Sequence, residues 1–187
     1  MARSGHNFIL QNVLSWISGD DIYIHHNLEN IKPIDLMPAH LSHGGIKLII
    51  WRDFDDWLAS SITKARKIGA TRTVEDIPAY LDKIVNAYRA IMQEVKCPQY
   101  FNANQVIHYD EFVESCKYRQ EICSNLKGDY NEDDINVIPR NGHYSSFDGN
   151  RYQGEAWKMN VLNRSKDILE TPYKDLYLNA IKKYGKR

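Results

Sequence analysis

The sequence predicts an α/β fold of three layers, with helices on both faces of a mainly parallel sheet, in a single domain over residues 1–187. Three observations carry this. Short apolar runs alternate along the chain with longer segments of helical period. Two of those runs, 46–51 and 105–109, lack the in–out alternation of a half-exposed strand, as parallel strands covered on both faces do. Finally, 187 residues are enough to bury one full core around a sheet, and no internal repeat divides them.

The elements follow in order. Residues 7–18 place Phe8, Ile9, Leu10, Val13, Leu14, Trp16 and Ile17 at helical spacing, and Gly19 is a natural stop. Ile22-Tyr23-Ile24 is short and β-favouring, and the stretch beyond it, with Pro33, Pro38, Gly44 and Gly45, has the punctuation of a long connection. Strand 46–51 leads into a helix over 54–68. Asp53, Asp55 and Asp56 favour the start of that helix through its dipole, and Gly69 ends it. Pro78 opens the clearest helix, whose apolar stripe is Leu81, Ile84, Val85, Tyr88, Ile91, Met92 and Val95. After strand 105–109, Asp110 is expected to cap a helix over 111–126. Residues 128–154 are polar and rich in Asp, Asn and Gly, and are expected to form a loop that orders on a ligand. Residues 155–184 are helical in pattern, interrupted at Pro172.

Charge narrows the function. The 24 basic and 24 acidic side chains cancel, so no global field draws the chain to nucleic acid or an anionic membrane, and any anion must be held locally. No apolar run approaches the roughly 20 residues of a membrane span, and residues 1–20 lack the pattern of a signal peptide. A soluble, cytoplasmic protein is expected. The odd set Cys97, Cys116 and Cys123 contains no C-x-x-C pair, which predicts reduced thiols in or near the core.

Two places are compatible with phosphate binding. Arg3-Ser4-Gly5-His6-Asn7-Phe8 sets a cation and a glycine before a helix start, where unpaired backbone N–H groups cradle anions; a capped helix start is the plainer reading. The ATP-binding form G-x-x-x-x-G-K-[ST] is absent. Further on, strand 46–51 ends at Arg52, and Ser60 follows eight positions later on the next helix. An arginine fork suits phosphate because it donates bidentately; the plainer reading is a surface pair with Asp55 or Asp56. His25, His26, His40 and His43 suggest zinc, but two histidine pairs across a Pro-containing loop, with no cysteine nearby, fit no zinc spacing, and no metal is expected.

Taken together, these motifs resemble the sulfotransferases that use 3′-phosphoadenosine 5′-phosphosulfate (PAPS), a family with a P-loop-like fold. The resemblance implies that Arg3 to Asn7 hold the 5′-phosphosulfate, with Arg3 the cation on the bridging oxygen and Phe8 against the adenine. It implies that Arg52 and Ser60 hold the 3′-phosphate. Val106-Ile107-His108-Tyr109-Asp110-Glu111-Phe112 looks like the family's strand ending in Tyr-Glu-Asp-Leu, which brings Tyr109 to the adenosine. Ser145-Ser146-Phe147 looks like its T-S-F element, with Phe147 on the other face of the base. Arg151-Tyr152-Gln153-Gly154 echoes a late R-K-G and makes Arg151 a second contact to the 3′-phosphate. His26, at the end of Ile22-Tyr23-Ile24-His25-His26, takes the position of the family's general base, and a neutral imidazole suits proton removal; His25 is one residue off, and Glu29 is the base if the carboxylate variant applies. A histidine pair capping a strand end is the non-catalytic reading.

The family places a strand ahead of the phosphosulfate loop and often a lysine where Arg3 stands, so the first strand is expected to be missing or clipped. The implied activity is transfer of a sulfuryl group from PAPS to a hydroxyl or amino acceptor, a small molecule or saccharide, without a metal. The alternatives are a P-loop nucleotide or sugar kinase using ATP and magnesium, and a truncated, non-catalytic nucleotide-binding relative.

Overall fold

The computed structural model describes residues 9, 12, 13, 15–17, 48–68, 76–97, 103, 105–136, 152, 155 and 158–185. The chain is mixed α/β and mostly helical. Residues 9, 12, 13, 15 and 16 belong to a first helix, α1. Then come β1 (Leu48–Trp51), α2 (Phe54–Ile68), α3 (Asp76–Lys96), β2 (Gln105–His108), α4 (Tyr109–Glu114), α5 (Cys116–Asn125), α6 (Arg164–Asp167) and α7 (Lys174–Tyr184). Short 3-10 turns fill Glu132–Asn136, Val161–Asn163 and Ile168–Glu170.

Among the described residues the sheet consists of β1 and β2, parallel, with Leu48 opposite Gln105 and Trp51 opposite His108. A parallel pair needs a long crossover, and α2 and α3 supply it. Both strands therefore end at the same edge, and each runs directly into a helix. That edge is where open α/β sheets place their ligands.

Two cores flank this arrangement. Leu48 and Ile50 of β1 and Ile107 of β2 pack with Ile9, Val13 and Trp16 of α1 and with Phe112, Ile122 and Cys123 of α4 and α5. Ile49 alternates to the opposite face and is buried there, so β1 is covered on both sides, as its unbroken apolar run requires. The second core joins Trp57, Leu58 and Ile62 of α2, Leu81, Ile84 and Val85 of α3, Ile168, and Tyr177 and Ala180 of α7. Leu81, Ile84 and Val85 are buried as the periodicity predicts, with Tyr88 packed against them, whereas Ile91, Met92 and Val95 of the expected stripe are only half-buried.

Trp16 anchors α1. Its ring lies 5.8 Å from Phe112 and 5.0 Å from Tyr130, and its Nε1 donates to the Asn131 carbonyl at 3.2 Å. Gly128 has to be a glycine here, because a Cβ would stand 2.6 Å from the Trp16 carbonyl oxygen. The preceding Lys127 takes the left-handed turn that ends α5, with φ of 56°.

Several boundaries depart from the sequence reading. Helix α3 begins at Asp76, two residues before Pro78, because a proline is tolerated throughout a first turn whose N–H groups have no intrahelical partner. The helix expected over 111–126 is two helices, broken at Ser115. Its backbone is extended there, and its hydroxyl caps α5 by accepting from the Tyr118 N–H at 3.1 Å. Asp110 is not a cap: it sits inside the first turn of α4, after His108 at the N-cap. Of the three cysteines only Cys123 is in the core; Cys97 and Cys116 are exposed, and none is in a disulfide. The strand expected at 22–24 and the connection following it lie outside the described residues, as does 137–151 of the expected ligand-ordered loop. No helix among the described residues is long and apolar enough to cross a membrane.

Candidate functional site

Arg52 is the first residue beyond β1. Its position at the strand edge aims the side chain between α2 and α4, and it is only 3 % exposed. Burying a guanidinium without partners is prohibitive, and the fold satisfies this one from every side. Nε donates to Asp110 Oδ1 at 3.0 Å, Nη1 donates to Ser60 Oγ at 3.3 Å, and Nη2 donates to the Val161 carbonyl. Asp56 stands 3.9 Å from Nη2, and the guanidinium carbon lies 4.9 Å from the Tyr109 ring centroid. The Arg52 carbonyl accepts from the Tyr88 hydroxyl at 2.7 Å, which ties the strand end to α3.

Asp110 takes the Nε side of the guanidinium, leaving the edge formed by Nη1 and Nη2 beside Ser60. The Ser60 hydroxyl accepts from Arg52 and still has its own proton to donate. An arginine edge with a hydroxyl next to it presents donors of the kind a phosphate accepts.

The other Asp110 oxygen accepts from the Asp53 N–H at 3.3 Å and faces His108 Nε2 at 3.6 Å. His108 closes β2 and stacks flat on Trp51, its partner across the sheet, with ring centroids 4.0 Å apart and planes within 10°. Its Nε2 is also 3.5 Å from Asp53, so two carboxylates converge on one imidazole at ion-pair range rather than at ideal hydrogen-bond length. Contact with Asp110 raises the His108 pKa above 6.5 against the opposing effect of burial, and Asp53 and Glu111 add to the rise. Burial pushes the Asp110 carboxyl upward, but His108, the Arg52 charge and the Asp53 N–H together hold it below its usual value.

A cavity of about 300 Å³ opens on this cluster, lined by Asp53, Asp56, His108, Asp110, Glu111, Glu114 and Leu162. Five of those seven are carboxylates. At an effective dielectric near 20, each unit of like charge about 8 Å away opposes a bound anion by roughly 2 kcal/mol, so an anion is held here only if Arg52 and Ser60 outweigh that field. Asp53, His108 and Asp110 each bring one donor atom within 4.8 Å of the others. As a metal set they are compromised, because both Asp110 oxygens are already engaged, one by Arg52 and the other by the Asp53 N–H. The cluster is an ion-pair network.

The residues singled out from sequence divide into two groups. The structure brings Arg52, Ser60 and Tyr109 together at the shared strand edge. Arg3, Ser4, Gly5, His6, Asn7, Phe8, His26, Phe147 and Arg151 lie outside the described residues, as do His25 and Glu29. The plainer reading of Arg52, a surface pair with Asp55 or Asp56, holds only in part: Asp56 does pair with Nη2 at 3.9 Å, but the residue is buried and its shorter carboxylate contact is Asp110, fifty-eight positions away. Sequence reasoning missed His108 and Asp110 as neighbours of Arg52 and assigned Asp110 to a cap. The available signal was the pairing of two strands that each end in a polar cluster, since a parallel register sets residues beyond 108 beside those beyond 51.

No protein-family model, curated protein or solved structure matches the chain.

Proposed function

We propose that the chain is a PAPS-dependent sulfotransferase of P-loop-like, three-layer architecture, moving a sulfuryl group to a hydroxyl or amino acceptor, with Arg52 and Ser60 as its 3′-phosphate site. The observation that carries this reading is the 3.3 Å contact between Arg52 Nη1 and Ser60 Oγ at the carboxyl edge of parallel strands. A free arginine fork is not required beforehand. Val161 now supplies the acceptor on Nη2, and a phosphate oxygen would take over from that carbonyl. Tyr109, already against the guanidinium, offers an aromatic wall for the adenosine. Sulfuryl transfer asks mainly for positioning and charge neutralisation, which this pair supplies at the donor's far phosphate. The loop from Arg3 to Phe8 would hold the phosphosulfate, Phe147 and Arg151 would complete the nucleotide contacts, and His26 would take the acceptor proton.

A second reading has its own observation: every nitrogen of Arg52 is engaged by protein, which is how a purely structural arginine looks. Calorimetry separates the two. Adenosine 3′,5′-bisphosphate should bind the wild type and not Arg52→Ala, with ATP–magnesium binding more weakly. No binding of the bisphosphate to a folded wild type favours the structural reading, and a preference for ATP–magnesium favours a kinase.

A further inference from the structure

The carboxylates around the cavity pose a problem for any phosphate at Arg52, and the structure contains an answer to it. Asp110 divides its carboxylate between Arg52, on Oδ1 at 3.0 Å, and the His108 imidazole, near Oδ2 at 3.6 Å. We propose that His108 is a positioning residue of the anion site, acting through Asp110: gaining a proton, the imidazole takes over the charge of Asp110 and Asp53, and the Arg52 charge, otherwise compensated by Asp110 at Nε, is left to the incoming 3′-phosphate. Phosphate capture and proton uptake are then one coupled event. The inference rests on the reading of Arg52 and Ser60 as the 3′-phosphate site.

The geometry limits what else governs this imidazole. Trp51 covers one ring face, so the ring cannot swing away from the carboxylates without breaking a 4.0 Å stack. Asp53 approaches from the end of β1, and Asp110 and Glu111 from α4. Asp56 from α2 and Glu114 from α4 stand around the same cavity. From α5 the Tyr118 hydroxyl accepts from the His108 backbone N–H at 3.1 Å, and Arg52 lies beyond Asp110 as the only other charge that shares its carboxylate among the described residues. All the acidic neighbours favour the protonated ring, and contact with Asp110 already raises its pKa. A phosphate drawing Arg52 away from Asp110 leaves that carboxylate less compensated, which favours the imidazolium further. By linkage the imidazolium favours the phosphate by the same factor. The proton comes from solvent and stays on the ring, so no bond of the ligand changes.

The test is titration of adenosine 3′,5′-bisphosphate into the full chain, in buffers of differing ionisation enthalpy, for the wild type, His108→Gln and Asp110→Asn. The wild type should take up protons on binding near pH 7 and bind about five-fold or more tightly at pH 6 than at pH 8. His108→Gln keeps a polar side chain but cannot titrate, so its uptake and pH slope should both fall. Because the phosphate itself titrates near pH 6, the difference between variant and wild type carries the result. Asp110→Asn leaves the imidazole and cuts its link to Arg52, so it should lose the uptake as well and guards against a glutamine variant that does not fold. Binding by both variants with the wild-type proton uptake overturns the coupling and leaves the phosphate site standing. Failure of the wild type to bind anywhere between pH 6 and pH 8 removes the phosphate site and the coupling together.

Discussion

Arg52 and Arg119 are both buried, 3 % and 4 % exposed, and each is held by a carboxylate and by backbone carbonyl oxygen, one for Arg52 and two for Arg119, yet they sit in opposite settings. Arg119 donates to Glu132 through Nε and Nη2, to the Tyr130 hydroxyl at 3.2 Å, and to the Phe112 and Val113 carbonyls at 2.7 and 3.1 Å. Those partners come from α4 and the segment just after α5, so the residue staples a local turn, with Glu132 as its counter-charge. Arg52 instead joins β1, α2, α4 and the turn at Val161, at the carboxyl edge of the sheet, beside a cavity whose charge is far from balanced. An arginine that only holds structure is matched one for one. On the proposed function, the excess charge and the histidine beside Arg52 are where a further charge would come and go.

The comparison breaks first on binding. Arg52→Ala should abolish measurable affinity for adenosine 3′,5′-bisphosphate, while Arg119→Met should leave it within two-fold, read by calorimetry, although both remove a buried charge. Stability should fall by about 3 kcal/mol for Arg52→Ala in urea unfolding, because it leaves the largely buried Asp110 without that cation, and by less for Arg119→Met, because water reaches the half-exposed Glu132. Equal loss of binding in both variants would erase the distinction drawn above.

Ser60→Ala sharpens the picture more gently. It removes one hydroxyl donor to the phosphate, so affinity should fall about ten-fold, the size of a hydrogen bond to a charged group, with stability changed by less than about 1 kcal/mol. A stability loss without an affinity loss would make Ser60 a structural partner of Arg52 alone.

The pH dependence of folding distinguishes the two clusters again. The folded His108 pKa lies above 6.5, so its contribution is fully present below 6.5 and is lost as pH rises through the raised folded value. Asp110 is lowered from 3.8, so its contribution is present above 3.8 and is lost as pH falls through the lowered value. Urea unfolding of wild type against His108→Gln should therefore show a difference that shrinks as pH rises past neutrality. The same comparison for Arg119→Met should be flat across that range.

The smallest effect concerns the frame alone. Gly128→Ala pushes a methyl group against the Trp16 carbonyl and should lower stability by about 1–2 kcal/mol in urea unfolding, with no change in affinity for the bisphosphate.

Much of the frame was legible in the sequence for plain physical reasons. The unbroken apolar runs at β1 and β2 and the 3.6-residue stripes of α2 and α3 follow from burial geometry, and the 54–68 helix matches its expected bounds. The break at Ser115 was hidden, because the residues on either side of it keep a helical apolar spacing and a serine inside that pattern gives no strong stop signal. At the site, Arg52 and Ser60 were legible because they lie two helical turns apart on adjoining elements. Asp110 and His108 were not, because their approach to Arg52 depends on the strand register, a long-range fact that spacing within one segment does not contain. Reading Asp110 as a cap followed a local rule, and the tertiary partner on β1 overrode it.

The most direct test of the central claim is ligand-induced stabilisation compared across the two arginines. At one hundred times its dissociation constant, adenosine 3′,5′-bisphosphate should raise the unfolding free energy of wild type and Arg119→Met by about 2.7 kcal/mol each, and leave folded Arg52→Ala unchanged. Equal stabilisation of Arg52→Ala at that concentration would contradict the account.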